Sequence, residues 1–263
     1  MAEVQTGSVV LLHDGSFEGF LTTVFEATRL KFGVERIESR DRYEGGLFDA
    51  TREIETIVES AERVWMGVKT RGGAEVASMV HCAFLAQIEG IDTVLWRYLR
   101  KVFAAAPGAM AKNVLDPDMH AVYAAAHKTS HEAHRFQGFV RFAKAPDGSM
   151  FSVIAPDHDI LQLLAGHFLS RYPNLTWMIA DSRRGRCLVS DADGARIVEC
   201  DPANLPADAE TAARMAAPED DRFHQLWLAY YEAINIAERA NPRLLRRNLP
   251  VKYWRYLPER AGR

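Results

Sequence analysis

The chain has 263 residues, 48% hydrophobic and 25% charged, an ordinary globular composition with ample material for a core. Its net charge of −3 excludes a protein that holds nucleic acid by bulk charge, so any such binding must rest on a local patch. Cys82, Cys187 and Cys200 lie far apart with no CxxC pair, which argues against a disulfide framework, a zinc finger or a cysteine-ligated iron–sulfur cluster.

Ser8 to His13 (SVVLLH) is an apolar run stopped by Asp14-Gly15 and predicts a buried strand. Phe17, Phe20, Leu21, Val24 and Phe25 then recur at helical spacing, with Ser16 as the N-cap. A second helix carries Ile54, Ile57, Val58, Ala61, Val64 and Trp65, and Gly72-Gly73 is expected to break the chain. Two more helices follow, one with Val76, Met79, Val80, Ala83 and Phe84, the next with Val94, Leu95, Tyr98, Leu99 and Val102. Asp116-Pro117 opens a histidine-bearing helix from about Asp118 to Arg135.

The pattern then changes. Phe139 to Phe142, Met150 to Ile154, Thr176 to Ala180, Cys187 to Ser190 and Ile197 to Cys200 read as strands. Asp147-Gly148, Arg184-Gly185 and Asp193-Gly194 supply turns at the spacing of an antiparallel meander. One inserted helix, capped by Asp157, buries Ile160, Leu161, Leu164, Phe168 and Leu169. Pro202 to Pro218 reads as a surface linker, and Asp220 to Arg239 as a last long helix burying Phe223, Leu226, Trp227, Tyr230, Ile234 and Ala237.

The expected class is α+β: a helical N-terminal half, an antiparallel sheet in the middle with one inserted helix, then a C-terminal helix and basic arm. Residues 1–110 read as an N-terminal strand and helical region. Residues 111–257 read as a core packed as one globular unit. No apolar stretch approaches the ~20 residues that span a bilayer, and the first residues show no basic-then-apolar leader. A soluble cytoplasmic protein without a membrane role is expected.

Four constellations carry chemistry. His127, His131 and His134 share one helix face, the spacing for a transition metal, but HExxH fails around Glu132. A polar helix face is the better reading, and no metal is expected. Arg135 to Phe142 (RFQGFVRF) matches much of the aromatic RNA-recognition strand. At period two, Arg135, Gln137, Phe139 and Arg141 share a face that suits phosphate plus a stacked base. The alternative is a half-exposed strand whose arginines pair with carboxylates. Asp157, His158, Asp159, His167 and Arg171, followed by Asp181, Arg183, Arg184 and Arg186, could form an acid–base site or an anion pocket. Equally, they could be a cap and a solvated turn.

The strongest electrostatic feature is NPRLLRRNLPVKYWRYL, Asn241 to Leu257. Arg243, Arg246, Arg247, Lys252 and Arg255 stand there without an acid, interleaved with Tyr253, Trp254 and Tyr256. Cations neutralise phosphates and rings stack on unpaired bases. The alternative is an arm docking its aromatics on the core.

Seven blocks together resemble one bacterial family: DGSFEGFLTTVFEA (from Asp14), RVWMGV (from Arg63), EAHRFQGFVRF (from Glu132), IAPDHDIL (from Ile154), HFLSRYP (from His167), WMIADSRRG (from Trp177) and the long block from Phe223 to Glu259. Its members carry the labels domain of unknown function, DNA metabolism protein and DNA repair protein. The resemblance implies pairing with a radical S-adenosylmethionine protein, which would bring the iron–sulfur cluster and S-adenosylmethionine; this chain would hold no cofactor. Some relatives are fused to a uracil-DNA glycosylase-like module. The blocks carry over Glu132, His134, Arg135, Arg141, Asp157, His167, Arg171, Asp181, Arg246, Arg247, Tyr253 and Trp254. His127 and His131 fall where no fixed histidine is expected, and His13 stands where a tyrosine is expected.

The leading expectation is a DNA-repair accessory protein that binds single-stranded or damaged DNA through Arg135, Phe139, Arg141, Arg171, Arg183, Arg184, Arg243, Arg246, Arg247, Tyr253 and Trp254. The competing one is a nucleic-acid hydrolase, nuclease or glycosylase-like, with Glu132, His134, Asp157, His167 and Asp181 converging on one pocket. A protein–protein adaptor would instead expose an apolar patch.

Overall fold

The computed structural model describes residues 9–30, 33–46, 49–109, 115–207, 211–212, 215–216, 225–230 and 241–260. The chain forms two compact units, residues 1–130 and 131–263, with the division inside a helix. The architecture is α+β, helical in the first half with a mixed sheet in the middle.

In the first unit β1 (Val9–His13) is buried at all five positions. An uninterrupted apolar run suits a strand covered on both faces. It is the centre of a parallel sheet of order β2-β1-β3, with β2 at Val34–Ser39 and β3 at Ala50–Glu53. Neither β2 (VERIES) nor β3 (ATRE) is expected from the sequence. Both are charged edge strands, and β3 is exposed throughout, so neither carries a clear apolar period. Ser16 caps α1 (Phe17–Arg29) as expected, its hydroxyl accepting the Gly19 N–H at 2.9 Å.

Two helices follow, α2 (Val58–Phe84) and α3 (Ile91–Ala104). The expected break at Gly72-Gly73 is present, as a kink at which two helical segments of α2 meet. Gly73 has φ 82°, a left-handed backbone that glycine adopts without a Cβ penalty. On α3, the Thr93 hydroxyl accepts the Ile37 N–H and donates to the Ile37 carbonyl, both at 3.0 Å, satisfying part of the β2 edge.

The histidine helix, α4, runs Pro117–Phe139, past its expected end. That extension corrects the RNA-recognition strand reading. Phe136, Phe139 and Val140 fall three and four residues apart, so a helix sends all three toward one hydrophobic core with Ala133. The core outweighs the β preference of the aromatic-rich stretch.

The second unit's sheet has order β4-β5-β6-β7-β8, with strands at Ala143–Lys144, Met150–Ile154, Trp177–Asp181, Arg186–Asp191 and Gly194–Glu199. The expectation of a wholly antiparallel sheet needs one change: β5 and β6 pair in parallel. The inserted helix α5 (Leu161–Arg171) carries the chain back to the end where β5 began, as a crossover must. From β6 to β8 the strands form the expected meander, with Gly194 at φ 114° in the last turn. Asp157 does not cap α5, which starts at Leu161 without a side-chain cap. Phe136, Leu164, Phe168, Trp177 and Ile179 pack between α4, α5 and the sheet.

Cys187 and Cys200 are joined in a disulfide, contrary to the reading of their spacing. The β7–β8 hairpin does this: its register folds the chain back so that the Cys200 N–H reaches the Gly185 carbonyl at 2.8 Å. Of the expected helix over residues 220–239, residues 225–230 are helical and the rest lies outside the described residues, as does much of the expected linker. Helix α6 (Pro242–Asn248) and a 3₁₀ helix (Val251–Tyr256) close the chain. Among the described residues no helix is long and apolar enough to cross a membrane.

Candidate nucleic-acid interface

Asn241 accepts the Leu244 N–H with its side chain at 3.0 Å, and Pro242 follows with a φ already fixed for a helix. These two residues start α6 in a stretch that buries nothing. Arg243, Arg246 and Arg247 stand at i, i+3 and i+4 on that helix, all exposed. Among the described residues none of the three forms an ion pair. Unpaired guanidiniums on one face of a solvent-facing helix are a phosphate-binding arrangement.

The aromatics behave differently. Tyr253 is buried, its ring 4.9 Å from that of Phe136 and 6.1 Å from that of Phe139. Trp254 donates to the Leu249 carbonyl at 3.0 Å and carries the Arg260 guanidinium over its ring at 5.4 Å. Tyr253 therefore anchors the arm instead of stacking on a base, and the same packing takes up Phe139.

Glu132 explains why Tyr253 is held there. Its buried carboxylate accepts the Tyr253 hydroxyl at 2.5 Å and the Asp157 and His158 N–H groups at 2.9 Å each. Burial, then the Glu132 bond and charge, push the Tyr253 hydroxyl far above the ordinary tyrosine range, so it stays a donor. Glu132 thus ties α4, the loop at 155–159 and the 3₁₀ helix together.

Around that loop the turn after β6 supplies cations. Arg183 and Arg184 each donate to the Pro156 carbonyl at 3.2 Å. Arg184 also reaches the Asp157 carbonyl at 2.8 Å and the Asp181 carboxylate at 2.9 Å. Arg186 binds Asp159 at 2.7 Å. The Asp157 carboxylate meets Arg183 at 3.1 Å and, from the other side, Lys252. Burial works to raise the Asp157 pKa, but the Lys252 bond and the nearby positive charges hold it below the usual value. Burial wins at Asp181 and raises it despite Arg184.

Glu132, Asp157 and Asp181 are thus brought together around one loop, which Glu132 holds directly and Asp181 holds through Arg184. His134 is exposed on α4, and His167 packs edge-on to Phe168 at 4.9 Å; among the described residues neither bonds to the cluster. Arg141, expected beside Phe139 on a strand face, instead bonds Glu259 at 2.8 Å and lies over the Trp227 ring at 4.9 Å. Arg171 is exposed against Tyr172, and Arg135 is half-buried.

Sequence reasoning missed Lys252 as a partner of Asp157, and missed a cavity of about 490 Å³ in the first unit beside Arg36, Arg42 and Asp92. Asp92, buried, receives Arg42 at 2.5 Å and His13 at 3.3 Å. Nothing in sequence separation announced either, since both depend on loops converging. No group of three or more metal-ligating side chains is present among the described residues.

A family model described as a domain of unknown function, DUF4130, matches residues 89–259. The chain belongs to that family. The DUF4130 match takes in α3, α4, the five-stranded sheet and the C-terminal arm, so the cationic helix and the Glu132 cluster lie within it. No curated protein and no solved structure matches the chain.

Proposed function

We propose that this protein binds DNA in DNA repair or DNA metabolism and acts with a radical S-adenosylmethionine partner. The observation that supports it most is the row of Arg243, Arg246 and Arg247 on α6, exposed and unpaired among the described residues. Three solvated arginines on one short helix contribute little to stability, but a polyanion would release counterions there. Half-exposed Arg183 and Lys252 extend the cationic character to a second place on the same unit. The aromatic contribution in this reading is smaller than the sequence suggests, because Tyr253 and Phe139 are spent on packing.

The partner half of the proposal rests on the motif resemblance. On it, the iron–sulfur cluster and S-adenosylmethionine belong to the partner, and this chain brings the nucleic acid. Single-stranded or damaged DNA is the expected ligand, in the cytoplasm. A pull-down for a radical S-adenosylmethionine enzyme, with and without damaged DNA, tests that half: capture strengthened by DNA supports it, and no capture in either arm contradicts it.

A further inference from the structure

The Asp157 carboxylate sits between two cations that approach from separate segments of the chain, the turn after β6 and the 3₁₀ helix. All three side chains are about half exposed, with Arg183 at 54%, Lys252 at 50% and Asp157 at 45%. Ion pairs so exposed contribute little to stability. Folding therefore does not account for the convergence.

The backbone beneath this carboxylate is held independently of it. Glu132 accepts the Asp157 N–H, and Arg184 donates to the Asp157 carbonyl. Pro156 is bound through its carbonyl by both arginines of the turn. The carboxylate can thus swing away by side-chain rotation while the loop stays in place, with Arg183 still bonded to the Pro156 carbonyl and Lys252 over the Tyr253 ring. What it would leave is a pair of solvent-facing donors, each of which had met one of the two carboxylate oxygens, an arrangement that suits a singly charged group with two free oxygens. A phosphodiester has that charge and those oxygens.

We infer that Arg183 and Lys252 form a phosphate-binding site which the Asp157 carboxylate fills in the free protein and yields to a backbone phosphate of the nucleic acid. The inference rests on the DNA-binding reading and adds a site and a regulating residue to it. Asp157 lowers affinity at this site twice, by occupying it and by repelling the phosphate that replaces it. The chain would then hold DNA loosely unless several phosphates engage together, a means of discriminating a properly placed strand from a stray encounter.

The test is fluorescence anisotropy with a fluorescein-labelled single-stranded oligonucleotide at one fixed salt concentration. Wild type is compared with Asp157→Asn, Arg183→Ala and, as a control for net charge, Asp193→Asn on the exposed β7–β8 turn. Asp157→Asn should bind about five- to tenfold more tightly, Arg183→Ala about three- to tenfold more weakly, and Asp193→Asn within about twofold of wild type. Circular dichroism melts of each variant establish that it is folded. Wild-type binding with no gain in Asp157→Asn, or with an equal gain in Asp193→Asn, overturns the gated site and leaves the DNA-binding reading intact. No binding by wild type or any variant at low salt overturns both.

Discussion

The Tyr253 hydroxyl donates to Glu132 across 121 residues of sequence, at 2.5 Å and in a buried setting. This bond fixes the C-terminal 3₁₀ helix against α4, and the same carboxylate holds the loop that presents Asp157. Removing the hydroxyl in Tyr253→Phe leaves the ring packing but deletes a hydrogen bond to a charged acceptor, which costs about 1.5–3 kcal/mol. Urea denaturation of wild type and variant measures it. A change near zero would mean that Glu132 is not the anchor.

Phe139 separates the helix from the strand. On a strand its ring would face solvent and stack on bases; on α4 it packs against Phe136 and Tyr253. Phe139→Ala should therefore lower stability by about 1–3 kcal/mol, less than for a fully buried phenylalanine. Its effect on DNA affinity, measured where both proteins are folded, should be small. Unchanged stability together with abolished affinity would restore the strand reading.

Two carboxylates should give opposite pH signatures. Burial works to raise the Glu259 pKa, but the Arg141 charge and the Trp227 bond outweigh it and hold the group below its ordinary 4.5. Its contribution is present above pH 4.5 and is lost as pH falls through the folded value. Glu259→Gln should cost about 1–3 kcal/mol near neutrality, and the difference from wild type should shrink in melts below pH 4.5. Asp181 is raised by burial above 3.8, so its contribution is present below pH 3.8 and lost as pH rises through the folded value. Asp181→Asn should compare better with wild type as pH rises over that range.

Much of this architecture is legible because apolar period and turn residues are local signals. The β1 run, the Ser16 cap and the Gly185 and Gly194 turns need no distant partner to be recognised. The failures have a common cause. Phe139 is helical because of a core assembled from Ile160, Trp177 and Tyr253, none of them near it in sequence. β2 and β3 are strands because β1 offers them an edge. In the site, the exposed arginines of α6 can be read from composition, since no acid interrupts them. The role of Glu132 cannot, because it looks like a catalytic acid until its three donors are in view.

The three arginines of α6 can be removed without touching packing, since no residue of that helix is buried. Arg243→Ala, Arg246→Ala and Arg247→Ala together should leave stability within about 0.5 kcal/mol of wild type per site. The most direct measurement is therefore a titration of single-stranded DNA by wild type and this triple variant across a series of salt concentrations. The account predicts salt-dependent binding by wild type, with weaker binding by the variant and a salt slope shallower by about one for each phosphate that the variant no longer neutralises. Equal affinity and equal slope for the two proteins, or no binding by wild type at low salt, would contradict it.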